Sequence, residues 1–117
     1  MSDEIKITVG GSAEDDAAAF VAAWEAAEQG KAPAPSRVLS FESWEGLAHV
    51  LTGERYRLLR HIHTHPEPSV SALARALGRQ YRRVHADVAV LEEAGLIDRA
   101  EGDLRATADR LQATIEL

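Results

Sequence analysis

The stretch RALGRQYRRVH, from Arg75 to His85, gathers cationic side chains in a chain that is acidic as a whole. The 117 residues have a formal net charge of −6, and residues 1–54 carry three basic and ten acidic side chains. Residues 55–85 reverse this balance with seven basic side chains and one acidic side chain. Residues 86–117 carry three basic and eight acidic side chains. A localised basic face in an acidic chain predicts an anionic partner.

The run HIHTH, residues 61–65, offers a second kind of chemistry, which is metal binding by imidazole. His61 and His65 are four residues apart and can share one helix face as zinc ligands. His63 points away from that face, at about 200° on helical geometry. Because two imidazoles alone do not close a zinc site, we expect histidines at a helix end, with no metal and no other cofactor.

Catalytic chemistry is not indicated by the remaining residues. The chain has no cysteine, which excludes disulfides, thiolate metal sites and cysteine nucleophiles. The sequence shows no Ser/His/Asp ordering, no glycine loop that would cradle a phosphate, and no paired carboxylates in an apolar setting. We therefore expect a binding protein and not an enzyme.

Length and composition favour one folded domain with an appendage. Hydrophobic residues make up 45% of the chain and charged residues 27%, which is ordinary for a globular protein with a modest core. No apolar run is long enough to span a bilayer, and MSDEIKITVGG lacks the basic and apolar regions of a signal peptide. These features predict a cytoplasmic protein with no membrane partner.

The first part of the chain predicts a strand, a helix and a second strand. IKITV alternates apolar and polar residues before a glycine pair, and Ser12 can cap a helix that runs to Gly30. KAPAPS is the predicted linker because its two prolines lack backbone donors, and RVLSF predicts the second strand. Phe20, Trp24 and Trp44 are expected to pack in the core or at an interface.

From Thr52 onward the sequence predicts three helices and a hairpin. Thr52 and Ser71 are candidate N-caps of the first two helices, and Gly78 is a candidate C-cap of the second. The third helix is predicted over residues 80–94. GLIDRAEGDLRAT predicts two strands joined by a tight turn at Glu101-Gly102-Asp103, and ATIEL predicts a last strand.

Three short helices followed by a hairpin is the order of a winged helix-turn-helix, and the internal spacing agrees. Ala74 is small where two helices must cross, Gly78 permits the turn, and Val84 returns to the core. With Val84, Val88 and Leu91 buried, helical geometry turns the basic side of the third helix outward, where a DNA major groove would accept it. The outward residues are Arg82, Arg83, His85, Ala86 and Ala89, with Gln80 at the free N-terminal end.

The arginines of this helix also have a purely structural interpretation. In an average helix they would form a solvated face, but no acid lies between Arg75 and Ala86, which favours DNA contact. Gln80 can pair with adenine or merely begin the helix. Tyr81 is expected to pack, although its hydroxyl can reach a phosphate. Asp87 lies toward the core side, where we expect it to pair with an arginine.

The chain from Phe41 to Thr107 resembles the MarR-like winged helix-turn-helix regulators of prokaryotes. The likeness lies in FESWEGLAHVLTGERYRLLRHI and SVSALARALGRQYRRVHADVAVLEEAGLI, which are similar to a subgroup of short predicted transcriptional regulators. Some members of that subgroup are thought to act as antitoxin-like partners in two-gene operons. The resemblance implies that residues 80–89 hold the recognition surface and that residues 99–105 form the wing.

The wing tip departs from that pattern. It reads Glu101-Gly102-Asp103, whereas a wing that follows the phosphate backbone is usually basic, so only Arg99 and Arg105 can supply contacts there. The complete set of predicted DNA-contacting residues is Arg79, Gln80, Tyr81, Arg82, Arg83, His85, Ala86, Arg99 and Arg105.

We therefore expect an α+β protein that is mainly helical, with a winged helix-turn-helix over residues 43–117 and a strand-helix-strand extension over residues 1–42. The expected function is sequence-specific binding of double-stranded operator DNA by a homodimer that regulates transcription, in particular as a repressor. Symmetric pairing is expected because one short recognition helix reads few base pairs. The extension is the expected dimer interface, since an exposed strand edge there would pair with its twin.

The alternative function is that of an antitoxin-like interaction module. Such a protein would bind a partner protein, such as a toxin encoded beside it, and would autoregulate its operon. The acidic flanks favour this alternative because a basic partner can dock on them. Both functions can coexist in one protein.

Overall fold

The computed structural model describes residues 4–10, 13–30 and 37–115 of the chain. Within these ranges the protein has five helices and five strands and is α+β, as the sequence predicts. The predicted linker KAPAPS and the predicted cap Ser12 lie outside the described residues.

Two compact units divide the chain. The sheet unit comprises residues 1–47 and 108–117, and the helical unit comprises residues 48–107. The division predicted from sequence, between residues 42 and 43, placed the last strand with the helices. That strand instead joins the sheet of the first unit.

The sheet unit contains a three-stranded parallel sheet in the order β2-β1-β5. Its elements are β1 (Glu4–Val9), α1 (Ala13–Glu28), β2 (Arg37–Phe41) and β5 (Arg110–Ile115), and α2 (Trp44–Val50) begins in this unit. Ile7 of β1 is in register with Leu39 and Ala113, and it is buried. On the opposite face the Thr8 hydroxyl donates to Ser40 Oγ at 2.9 Å. The alternation predicted for IKITV is thus confirmed.

β1 lies in the middle of the sheet, which changes which strands could offer an exposed edge to a second copy. β1 pairs with β2 on one side and with β5 on the other, so its backbone groups are hydrogen-bonded on both sides. The first strand is therefore not an edge. The outer strands of this sheet are β2 and β5.

The helical unit packs three helices and a hairpin around one apolar core. Its elements are α3 (Gly53–Thr64), α4 (Val70–Leu77), α5 (Tyr81–Glu93), β3 (Ile97–Ala100) and β4 (Asp103–Ala106). The largest fully buried side chains of the described residues all belong to this unit: Leu58, Ile62, Leu73, Val84, Val88, Leu91 and Leu104. The predicted burial of one side of the third helix is confirmed.

Helix α4 begins two residues earlier than the sequence predicted. Ser69, and not Ser71, is the N-cap: its hydroxyl accepts from the backbone N–H of Ala72 at 3.0 Å. From sequence alone, either serine can serve as the cap. Val70 is buried, and it lies within the helix only if Ser69 is the cap. The Thr52 cap of α3 is confirmed, because its hydroxyl accepts from Arg55 N at 3.3 Å.

The choice between the two serines can be tested by unfolding. Ser69→Ala is expected to lower the free energy of unfolding by about 1 kcal/mol, because the N–H of Ala72 loses its acceptor. Ser71→Ala is the matched control and should change it by less than about 0.5 kcal/mol, as for an exposed position. A urea titration measures both, and equal losses would contradict the assignment of the cap.

The turn between α4 and α5 is fixed by a left-handed glycine. Gly78 has a φ of 65°. Two nested hydrogen bonds close the helix around it, from Arg79 N to Ala74 O at 3.0 Å and from Gly78 N to Arg75 O at 3.2 Å. This Schellman arrangement satisfies the last carbonyls of α4 and sets the direction in which the chain enters α5.

The hairpin closes with a two-residue turn. Glu101 and Gly102 both have positive φ, at 58° and 86°, which is the turn that matches the twist of paired strands. Leu104 of β4 also exchanges backbone hydrogen bonds with Glu67, at 2.7 and 3.3 Å. The segment between α3 and α4 is thereby tied to the hairpin.

Candidate functional site

The outward side of α5 is the most distinctive exposed surface of the helical unit. Val84, Val88 and Leu91 face the core with at most 1% of their surface exposed. The opposite side is solvent-exposed and carries Arg82, Arg83, His85, Ala86 and Ala89, as the sequence predicted. Two of these five side chains are alanines, so the middle of the helix offers a low surface that another molecule can approach closely.

Among the described residues, no carboxylate pairs with the arginines on this surface. Arg82 and Arg83 form no ion pair among the described residues. The acids of α5 lie further along: Asp87 is buried, Glu92 is paired with Arg99, and Glu93 is exposed in the last turn. The N-terminal half of the outward surface is therefore cationic, and the C-terminal end is acidic.

Gln80 and Tyr81 lie at the start of α5. Gln80 holds the N-cap position without a side-chain capping bond, and its exposed amide has no hydrogen-bond partner among the described residues. Tyr81 is half exposed, at 50%, with its ring tilted against His85 at 5.7 Å between centroids. Tyr81 was expected to pack, and its ring does lie against His85, while half of its surface stays exposed.

A partly buried ion-pair network, centred on the buried Asp87, lies behind this surface. Asp87 Oδ1 accepts from Arg55 Nε at 2.9 Å, and its Oδ2 accepts from Arg79 Nη2 at 2.7 Å. The same Nη2 lies 2.9 Å from Glu54 Oε2, and Arg55 Nη1 donates to the carbonyls of His49 and Val50. The predicted pairing of Asp87 with an arginine is confirmed, and it involves two arginines.

The network changes the role of Arg79. Only 19% of its side chain is exposed, and its Nη2 is shared between two carboxylates. The network joins the start of α3, the turn after α4 and the middle of α5. It was not predicted as a whole because Arg55 and Asp87 are 32 residues apart in sequence. The sequence pointed to the network only through Asp87, an acid on the core side of the amphipathic helix α5.

The two hairpin arginines are also held by carboxylates. Arg99 Nη2 lies 3.0 Å from Glu92 Oε1, and Arg105 Nη2 lies 3.5 Å from Asp103 Oδ2. Both arginines remain partly exposed, at 52% and 41% of their side chains.

The histidines of HIHTH make local contacts. His61 Nε2 lies 3.0 Å from Glu67 Oε1, and its ring stacks on His65 at 5.5 Å between centroids. Within the described ranges, no three histidine, aspartate or glutamate side chains converge as metal ligands would. The His61–Glu67 contact joins the end of α3 to the segment that bridges to the hairpin.

Comparison with known proteins gives one match. The sequence model of the HVO_A0114 family matches residues 50–113, which span α3, α4, α5 and the hairpin and reach into β5. No curated protein and no solved structure matches the chain. None of the helices among residues 4–10, 13–30 and 37–115 has the length and apolar character needed to cross a bilayer.

Proposed function

The chain belongs to the HVO_A0114 family, and we propose that it is a sequence-specific DNA-binding regulator of transcription with a winged helix-turn-helix fold. In this proposal α4 and α5 are the helix-turn-helix, α5 is the recognition helix, and the hairpin β3–β4 is the wing. The resemblance of residues 41–107 to MarR-like regulators supports the same assignment.

One observation carries the proposal: the cationic side chains at the start of α5 are exposed and unpaired. Arg82 and Arg83 have no carboxylate partner among the described residues, whereas Asp87, the nearest acid of the helix, is buried and bonded to two arginines. An arginine that is kept free in an acidic chain favours an external anion. Guanidinium groups at the N-terminal end of a recognition helix pair with guanine edges in the major groove.

The small side chains on the outward side of α5 favour entry into a groove, as its positive charge does. Ala86 and Ala89 follow the arginines on the same side and leave no bulk that would hold the helix out of a groove. Glu93, in the last turn, would be repelled by phosphate. The N-terminal half of α5 is therefore the part expected to enter the groove, with Gln80 and His85 as further candidates for base contacts.

The contribution of the wing is smaller in this proposal. Arg99 and Arg105 are each paired with a carboxylate of α5 or of the hairpin itself. The tip carries Glu101, whose side chain is 87% exposed. A phosphate must compete with these carboxylates, so the wing arginines are secondary contacts, and Arg79 supports α5 from within the network.

The proposed regulator acts as a homodimer. Two copies double the bases that one short helix reads, and half-sites about one helical turn, ~34 Å, apart would suit a two-fold symmetric pair. Since β1 is the central strand, an edge-to-edge contact through the sheet unit would use β2 or β5.

The proposal is tested by DNA binding at two salt concentrations. The protein is expected to bind the DNA upstream of its own gene more tightly than an arbitrary duplex, with an affinity that falls steeply as salt rises, because bound phosphates release counterions. Fluorescence anisotropy with both duplexes measures this. Equal weak binding to both duplexes would contradict a specific regulator, and no binding at low salt would contradict DNA binding altogether.

A second candidate function is an antitoxin-like interaction module. The sheet unit carries four basic and eleven acidic side chains, and it exposes Trp24 and Trp44 at 43% and 55%. Exposed tryptophans beside acidic residues favour a basic protein partner. Co-purification with the product of the neighbouring gene, abolished by replacing both tryptophans with alanine, would support it.

A further inference from the structure

An open hollow of about 630 Å³ lies between α4 and the first turn of α5. Its lining residues are Ser71, Ala74, Arg75, Gly78, Arg79 and Tyr81. A Cβ placed on Gly78 would meet no atom within 4 Å, so the hollow is open beside this residue. The hollow adjoins the cationic end of α5, since Tyr81 precedes Arg82 directly.

The polar side chains that line the hollow are two hydroxyls and two guanidinium groups, and no carboxylate is among them. The hydroxyls of Ser71 and Tyr81 have no hydrogen-bond partner among the described residues. Arg75, in the last turn of α4, is exposed and forms no ion pair within the same ranges. Hydroxyl and guanidinium groups around one hollow, with no carboxylate lining it, favour a ligand with several anionic oxygens.

The two arginines that line the hollow differ in whether carboxylates neutralise their charge. Arg79 belongs to the network in which Arg55 and Arg79 balance Glu54 and Asp87. Its Nη1 is buried with no hydrogen-bond acceptor in the part of the chain that the structure describes, and Arg79 lines the hollow. Arg75 is therefore the source of net charge in the hollow, which matches one singly charged phosphodiester.

We propose that this hollow binds one phosphate group, which the DNA backbone supplies beside the bases that α5 reads. The inference rests on the proposed function and extends it to Ser71 and Arg75, on α4. Contacts to phosphate fix the register of a protein on a duplex, whereas contacts to base edges select the sequence. The hollow thus positions α5, and Arg82 then reads a base.

The test compares Arg75→Gln with Arg57→Gln. Arg57 is a matched control because it is exposed on α3, forms no ion pair among the described residues and does not line the hollow. Binding is measured over a range of salt with an arbitrary duplex and with the upstream DNA. For Arg75→Gln, the slope of log affinity against log salt should become shallower by about 0.9, as for one phosphate. Affinity for both duplexes should fall by the same factor.

Tyr81→Phe gives a second, uncharged probe of the hollow. It removes only the hydroxyl, so affinity should fall about threefold to tenfold for both duplexes with the salt slope unchanged. Arg57→Gln should keep the parental slope. If the parent binds DNA and both hollow variants bind with the parental affinity and slope, the hollow is not a phosphate site, while the proposed function stands.

Titration with inorganic phosphate distinguishes the DNA backbone from a free phosphate ester as the source of the phosphate group. If the parent binds no duplex but phosphate shifts the backbone amide resonances of Ser71, Gly78 and Tyr81 saturably, and Arg75→Gln abolishes the shifts, the hollow serves a free phosphate ester. The proposed function would then fail while the phosphate site stands. Absence of both DNA binding and phosphate shifts would overturn the two proposals together.

Discussion

Replacing Asp87 with alanine is expected to lower the free energy of unfolding by about 3 kcal/mol. Removal of one partner from a buried ion pair costs roughly 3–5 kcal/mol, because the remaining charge stays buried without compensation. The lower end applies here, since Arg79 keeps Glu54 as a partner and Arg55 keeps the carbonyls of His49 and Val50. Guanidinium titration of the purified protein measures the loss.

Asp98→Ala is the control for that experiment. Asp98 is an exposed acid on β3, so its removal should change stability by less than about 0.5 kcal/mol. If Asp87→Ala and Asp98→Ala lower the free energy of unfolding by the same small amount, the network does not hold α3, the α4–α5 turn and α5 together. DNA affinity of Asp87→Ala should fall as well, because α5 loses the contacts that orient it.

Replacing Arg82 with alanine is expected to weaken DNA binding by about 1–3 kcal/mol and to leave folding nearly intact. Arg82 lies about 170° around α5 from the middle of its buried residues, so it points directly away from the core. In the proposed complex a side chain in that position would reach base edges, so its loss should relax preference at one base pair. Competition binding with single-base variants of the upstream DNA measures this.

Arg83→Ala is the informative comparison. Arg83 lies about 90° from the buried side of α5, at the flank of the helix, so in the proposed complex we expect it to contact a phosphate and not a base. Its loss should lower affinity for all sequences alike. Val84→Ala, which removes buried methyl groups, should lower stability first and binding only as a consequence.

The two arginine variants also decide between the candidate functions. If both stay folded and bind the upstream DNA as the parent does, α5 is not the recognition helix. The interaction module would then explain the protein better, and the basic cluster would serve a different anionic partner.

The sequence by itself determined the features that depend on neighbours along the chain. The 3.6-residue spacing of Val84, Val88 and Leu91 set which side of α5 is buried, and so which side carries Arg82. Gly78 and Gly102 marked two turns, because glycine adopts positive φ without the steric penalty of a side chain. The outward surface of α5 could be predicted for this reason.

Only the tertiary structure decided the contacts between residues far apart in sequence. The parallel pairing of β5 with β1, the division of the chain into two units and the sharing of Asp87 between Arg55 and Arg79 all join distant segments.

The roles of Arg79 and Arg75 show why these contacts matter for function. Both are arginines of one short basic run, and the sequence predicts Arg79, but not Arg75, as a DNA contact. Packing brings Arg79 to a buried carboxylate and leaves Arg75 in solvent, because the fold, and not the local pattern, determines which charges lose water and must be paired.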